Sequence, residues 1–219
     1  MRYEKGHRET SRRRIMDVAA ERFRSDGIAA SGLSGIMNEA GLTNGAFYPH
    51  FESKAELVRE SVAAALEDRS SALHEIAADG GLEAVIGAYL SAEHRDNPST
   101  GCALAALLPE LARQPAKTRA VCGKHFQDTV RELAAALPQH TLDREGAAIG
   151  LYAILIGALQ LARAAKGTAL SDRILASGAE AAKALIGLPL GSADTLTVRP
   201  SKSPSKRKTS KHRKNSAHN

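Results

Sequence analysis

Residues 42 to 51 read LTNGAFYPHF, with Ala40 and Gly41 before them and Ser53 and Lys54 behind. Upstream, Leu33, Ile36, Met37 and Ala40 recur at three- and four-residue spacing, which draws one apolar stripe along a short helix. Gly41 can take the left-handed backbone that ends such a helix, and Thr43 carries a hydroxyl suited to capping the next one. A turn this tight leaves room only for a second helix crossing the first, so the stretch reads as a helix-turn-helix.

On the second helix Ala46 and Phe47 are predicted to face the core. Thr43, Asn44, Gly45, Tyr48 and His50 are left as candidate DNA contacts. An amide can pair bidentately with adenine, and hydroxyl, imidazole and ammonium groups suit phosphate oxygens. Lys54 is predicted to open the following helix, whose free N–H groups also attract an anion. Each residue alone also reads as a turn former, a core aromatic or a surface group. Their order is what makes the set specific.

Residues 9 to 60 resemble the DNA-binding domain of the TetR/AcrR family of bacterial transcriptional repressors. The resemblance is carried by Ile15, Val18, Ala19 and Phe23 on a first helix ending at Gly27, then Leu33 and Ile36, then Ala40-Gly41-Leu42-Thr43. Gly45, Phe47-Tyr48, His50-Phe51, Ser53-Lys54 and Glu56-Leu57 complete it. Two positions depart from the commonest pattern. Met37 stands where a small residue is usual, and Pro49 falls within the recognition helix, where it removes a backbone donor. The resemblance implies an all-α chain: an N-terminal three-helix helix-turn-helix DNA-binding domain, then a C-terminal helical ligand-binding and dimerisation domain. It also implies a homodimeric repressor that leaves its operator when a small-molecule inducer binds. A two-fold dimer should read a near-palindromic double-stranded DNA operator, with half-sites about one helical turn, or a multiple of it, apart.

Composition agrees with a helical fold. The 219 residues are 43% hydrophobic but only 4% aromatic, with no Trp, and no alternating β-branched run argues for a sheet. Residues 199 to 219 hold eight Lys or Arg and no acid, so the formal charge of +6 becomes −2 over residues 1 to 198, from 22 basic and 24 acidic side chains. The body is therefore not basic, and the positive charge lies at its two ends. Residues 1–8 are expected to form a basic N-terminal arm, with Arg12 just behind it as a further DNA-binding candidate. Residues 191–219 read as a disordered basic tail, too poor in apolar side chains to order itself.

Between them lie the DNA-binding domain, 9–60, and a helical regulatory and dimerisation domain, 61–190. Gly80-Gly81, Asn97-Pro98, Gln114-Pro115, Pro138 and Gly167 cut residues 70 to 190 into five helical stretches. The stretch GAAIGLYAILIGALQLA, residues 146 to 162, is apolar nearly all round. It is short of a membrane span, interrupted by Gln160 and flanked by charges, so it reads as a buried helix. A helix with no polar face needs a partner, and Gly150, Gly157 and Leu161 are the candidate dimer-interface residues, with Ala147 and Ala158 beside them. In the resembled family the last two helices of each subunit form a four-helix dimer bundle, which here implies residues 142 to 166 and about 170 to 187.

Two cysteines, Cys102 and Cys122, without metal-like spacing or a secretory signal, point to a reducing cytoplasm. No metal, cofactor or membrane partner is implied, and His74, His94 and His125 are dispersed. Glycine-rich phosphate loops and hydrolase or metalloprotease motifs are missing, which argues against an enzyme. Tyr89, Cys102, Leu104, Leu107, Leu108, Phe126, Tyr152 and Leu155 are the candidate pocket residues, large or amphipathic side chains on helices that would surround a cavity. Cys102 follows a loop and stands near the start of a helix, where a thiol pKa is lowered. A similar Gly-Cys occurs in family members that sense electrophiles. Two alternatives to the inducible repressor thus stand: an electrophile switch at Cys102, and a nonspecific DNA-organising protein using the basic tail.

Overall fold

The computed structural model describes residues 2–188, with side chains described from Gly6 onwards. Among the described residues all regular structure is helical. The helices are α1 (Arg2–Asp26), α2 (Leu33–Glu39), α3 (Lys54–Tyr89), α4 (Ala92–Asp96), α5 (Ala103–Leu111), α6 (Ala116–Ala136), α7 (Arg144–Ala164) and α8 (Ala169–Leu185). The basic tail predicted over 191–219 lies outside them.

The first unit closes around Ile15, Ala19 and Phe23 of α1, all fully buried. Ile36 and Met37 of α2, Phe47, Phe51 and Leu57 complete this core. Met37 is accommodated without exposure despite its size. α1 begins at Arg2, so residues 2–8, expected within a basic arm, form the leading turns of α1. No proline interrupts the run, and the Thr10 hydroxyl donates to the Gly6 carbonyl at 2.9 Å.

Gly41 stops α2 with φ +69°, and Leu42 N–H reaches back to the Met37 carbonyl at 2.9 Å, the six-to-one bond of a Schellman-type end. The second helix of the motif is much shorter than predicted. It is a 3-10 turn over Asn44–Ala46, continued by turns to His50. Its bonds span three residues, Ala46 N–H to Thr43 O at 3.0 Å and His50 N–H to Phe47 O at 2.9 Å. Gly45 weakens helix propagation and Pro49 lacks the donor that would extend it. Thr43 occupies the cap position, but its hydroxyl makes no capping bond. The capping serine is Ser53, which accepts from Glu56 N–H at 3.2 Å, while the Glu56 carboxylate accepts from Glu52 N–H at 2.6 Å.

α3 runs across the domain boundary expected at residues 60 and 61. With no Gly or Pro between Lys54 and Asp79, one helix runs from the first unit into the second and breaks only at Gly81, φ +63°. Beyond it, α7 and α8 pack antiparallel, with Gly150 against Leu185 and Ala158 against Gly178. Ser171 ties their ends by donating to the Ala162 carbonyl at 2.7 Å. Among the described residues α7 is the helix long and apolar enough to cross a membrane, yet Leu151, Leu155 and Leu159 are packed in the core. Within the single chain it is not buried all round: Ile149 is 52% and Leu161 61% exposed.

Candidate functional site

Thr43, Asn44, Gly45 and Tyr48 emerge together at the surface of the tight turn. Tyr48 is 72% exposed, its ring set edge-on against buried Phe47 at 5.3 Å between centroids. The Asn44 amide donates to the Ser34 hydroxyl at 3.0 Å, adding an exposed hydroxyl of α2 that the sequence reading passed over. His50 is half-buried; burial, then the charges of Arg8 and Arg12, push its pKa down, so at neutral pH its imidazole is uncharged. Arg8 donates to the Pro49 carbonyl and so places a cation beside the turn.

Two predicted DNA contacts are engaged inside the protein. The Lys54 ammonium donates to the Ile28 carbonyl at 2.6 Å. Arg12 pairs with Glu60 and lies 4.6 Å over the Phe51 ring. Their geometry fastens the helices of the first unit to one another.

In the second unit a cavity of ≈ 380 Å³ opens among α3, α6 and α7 and the start of α5. Of the predicted pocket residues, Tyr89, Cys102 and Tyr152 line it. Leu104, Leu107 and Leu155 are buried core instead, and Leu108 packs at the edge of that core. Phe126 meets Tyr152 at 6.1 Å but faces a separate open groove along α6 and α7. The sequence reading missed Arg69, Leu73, Leu82, Val85, Thr129 and Leu133 on the cavity wall. Their only signal was the unbroken register of α3 and α6.

His94 organises the inner wall. Its Nδ1 donates to the Tyr89 carbonyl at 2.7 Å, and its Nε2 accepts from Cys102 N–H at 3.1 Å. A carbonyl only accepts and an N–H only donates, so one neutral tautomer satisfies both. Burial holds the ring's pKa down to about 4. Cys102 stands at the N-cap position of α5, at the helix start as expected, but its side chain makes no capping bond, and it is only 3% exposed and borders the cavity. The Tyr89 hydroxyl is buried without a hydrogen-bond partner among the described residues, and burial, followed by the neighbouring Cys102, pushes its pKa well up.

The same wall touches the first unit. Gly101 lies so close to the His94 ring that a Cβ there would come within 2.8 Å of it. The preceding 3-10 turn, Pro98–Thr100, presents the Ser99 carbonyl to Arg24 of α1. Glu110 of α5 accepts from Ala29 N–H at 3.1 Å. A displacement at Tyr89 or Cys102 thus has two short routes to the helix-turn-helix.

Among the predicted interface residues, Leu161 is exposed and Gly157 has open space around it. Gly150 and Ala158 are turned inward, to α8 of the same chain: small residues there answer an intramolecular need that the sequence did not distinguish from an intermolecular one. Ile149, Leu170 and Leu185 extend the exposed apolar set.

Residues 15–61 match the family profile described as bacterial regulatory proteins, tetR family. The chain is 35% identical over 69 residues to the HTH-type transcriptional repressor KstR2 of Rhodococcus jostii (strain RHA1), a match covering 32% of this chain and 34% of that protein. It is 35% identical over 91 residues to the HTH-type transcriptional regulator SrpR of Pseudomonas putida, covering 39% and 41% respectively. The match thus spans less than half the length of either relative. The fold as a whole is similar to the crystal structure of a transcriptional regulator, TetR family, from Cytophaga hutchinsonii, with a TM-score of 0.71 at 21% identity over 83% of this chain and 95% of that one.

Proposed function

We propose that the chain, whose residues 15–61 match the tetR-family profile and whose fold is similar to that of a TetR-family regulator, is a member of that family: a cytoplasmic, homodimeric, sequence-specific repressor of transcription released from its operator by a small-molecule inducer. The observation that carries the inducible part is the shared wall. The segment from Tyr89 to Cys102 borders the cavity on one side and presents the Ser99 carbonyl to Arg24 of α1 on the other. A ligand that fits the cavity in one arrangement of this wall better than in the other shifts the population between them. The two helix-turn-helix units of a dimer then no longer match the operator spacing.

Sequencing the fragments that the purified protein retains from a random double-stranded DNA pool tests the DNA-binding part; enrichment of a near-palindrome is the expected result, and retention without sequence preference overturns it. On that operator, Asn44→Ala should cost about 1–3 kcal/mol, mainly on the cognate sequence, and Tyr48→Phe should weaken all DNA alike. Wild-type operator affinity in both variants would remove the exposed turn from the interface.

A further inference from the structure

Most of the cavity wall is apolar, with a few hydroxyl groups and one guanidinium set into it. The Tyr89 hydroxyl, on a residue 1% exposed, has beside it only the Cys102 thiol, a weak acceptor, and no oxygen or nitrogen partner among the described residues. The Arg69 Nε–H is likewise buried and unpartnered, and the Arg69 guanidinium lies 5.6 Å over the Tyr89 ring. The Arg69 guanidinium has no acceptor to offer the Tyr89 hydroxyl, and the phenol oxygen, which could accept from Arg69, makes no hydrogen bond to its Nε–H here. Arg69 makes no ion pair among the described residues, because neighbouring Asp68 is taken by Arg13 at 2.9 Å. Arg163, close enough to act electrostatically on the same His94, has no carboxylate partner either, and its Nη1 is also unpaired. The one acid on the wall, Glu132, is partly exposed and paired with His74 at 3.3 Å.

Two buried donors and a permanent positive charge with no ion-pair partner among the described residues, set beside an apolar chamber, narrow the ligand by exclusion. A cation would be repelled, and a hydrocarbon would leave both donors unsatisfied. We propose that the cavity takes a small hydrophobic carboxylate, one oxygen on the Tyr89 hydroxyl and the other on Arg69 Nε, with its hydrocarbon body against Leu73, Leu82, Val85 and Leu133. This rests on the reading of the cavity as the inducer site and names the class of inducer.

Titration calorimetry on the full chain, with benzoate, 2-naphthoate and octanoate each set against its own primary amide, tests it. At least one carboxylate should bind about tenfold or more tightly than its amide, the ratio expected for a charge-assisted hydrogen bond. Tyr89→Phe and Arg69→Met should each erase about tenfold of that preference while leaving amide binding within about twofold; Arg69→Gln, which is polar but neutral, serves if Arg69→Met does not fold. The proposal is overturned if no carboxylate outbinds its amide, or if the Tyr89 and Arg69 variants keep the wild-type preference. Since these titrations contain no DNA, a carboxylate that binds as expected yet leaves the operator complex intact upholds the ligand class and overturns inducer release. An amide that releases the operator as well as its carboxylate upholds release and overturns the class.

Discussion

At the scale of single residues, His94 shows how a buried titratable group ties stability to pH. Its two hydrogen bonds require the neutral ring, and burial holds its folded pKa to about 4 against an ordinary 6.5. Because the folded value is the lower, the unfolded chain takes the proton first as pH falls. The contribution is complete above about pH 6.5 and drains away between there and about pH 4, with a total of the order of 3 kcal/mol. Urea unfolding of the wild type and of His94→Gln at pH 7 and pH 4.5 measures this: the wild type should lose about 2–3 kcal/mol more than the variant. Equal losses would show that other groups carry the acid sensitivity. Lys54 is a second case. With its ammonium on the Ile28 carbonyl, Lys54→Ala should lower stability by about 1 kcal/mol while leaving the salt dependence of DNA binding unchanged. A slope reduced by about one unit would return Lys54 to a phosphate.

At the scale of elements, the close pairing of α7 and α8 depends on one glycine that periodicity did not single out. A Cβ at Gly178 would fall 2.5 Å from the Ala158 Cβ and 3.3 Å from Leu90 Cδ1. Backbone-fixed carbons cannot rotate away, so Gly178→Ala should destabilise the chain by about 1–3 kcal/mol in urea unfolding. Adding Ala158→Gly should return most of the loss, less about 1 kcal/mol of helix propensity; strict additivity of the two changes would place the crowding elsewhere. The pair also marks what the sequence could reveal. The α2 stripe, the Gly41 stop and the exposure of Thr43, Asn44 and Tyr48 were legible because they follow from local spacing and turn chemistry. The length of the motif's second helix was misjudged because the family resemblance outweighed Gly45 and Pro49. Gly150 and Ala158 were read as an intermolecular face because a small residue looks the same in sequence whether the helix it admits belongs to its own chain or to another. The cavity wall was mostly missed because Arg69, Leu73, Leu82 and Val85 are ordinary members of one long helix until α6 is laid against it.

At the scale of the whole molecule, the question is what covers the outer face of α7 and α8. Ile149, Ala153, Gly157 and Leu161 follow one another at four-residue steps along α7, and Leu170 and Leu185 stand exposed near the two ends of α8. A row of this kind facing water favours association, and an isologous interface along it would produce a two-fold pair of helix-turn-helix units. Joining two DNA-binding units makes the second contact intramolecular, which is worth about 10²–10⁴ in apparent affinity for a site with both halves and nothing for a site with one. Leu161→Glu places a charge at the C-terminal end of this row without touching the core. Sedimentation should therefore report a folded monomer with unchanged helical circular dichroism, operator affinity should fall by about two orders of magnitude or more, and affinity for an isolated half-site should stay at the wild-type value. A variant that sediments as a dimer would move the interface away from this face. A monomer that still holds the full operator tightly would show instead that each chain reads the DNA independently.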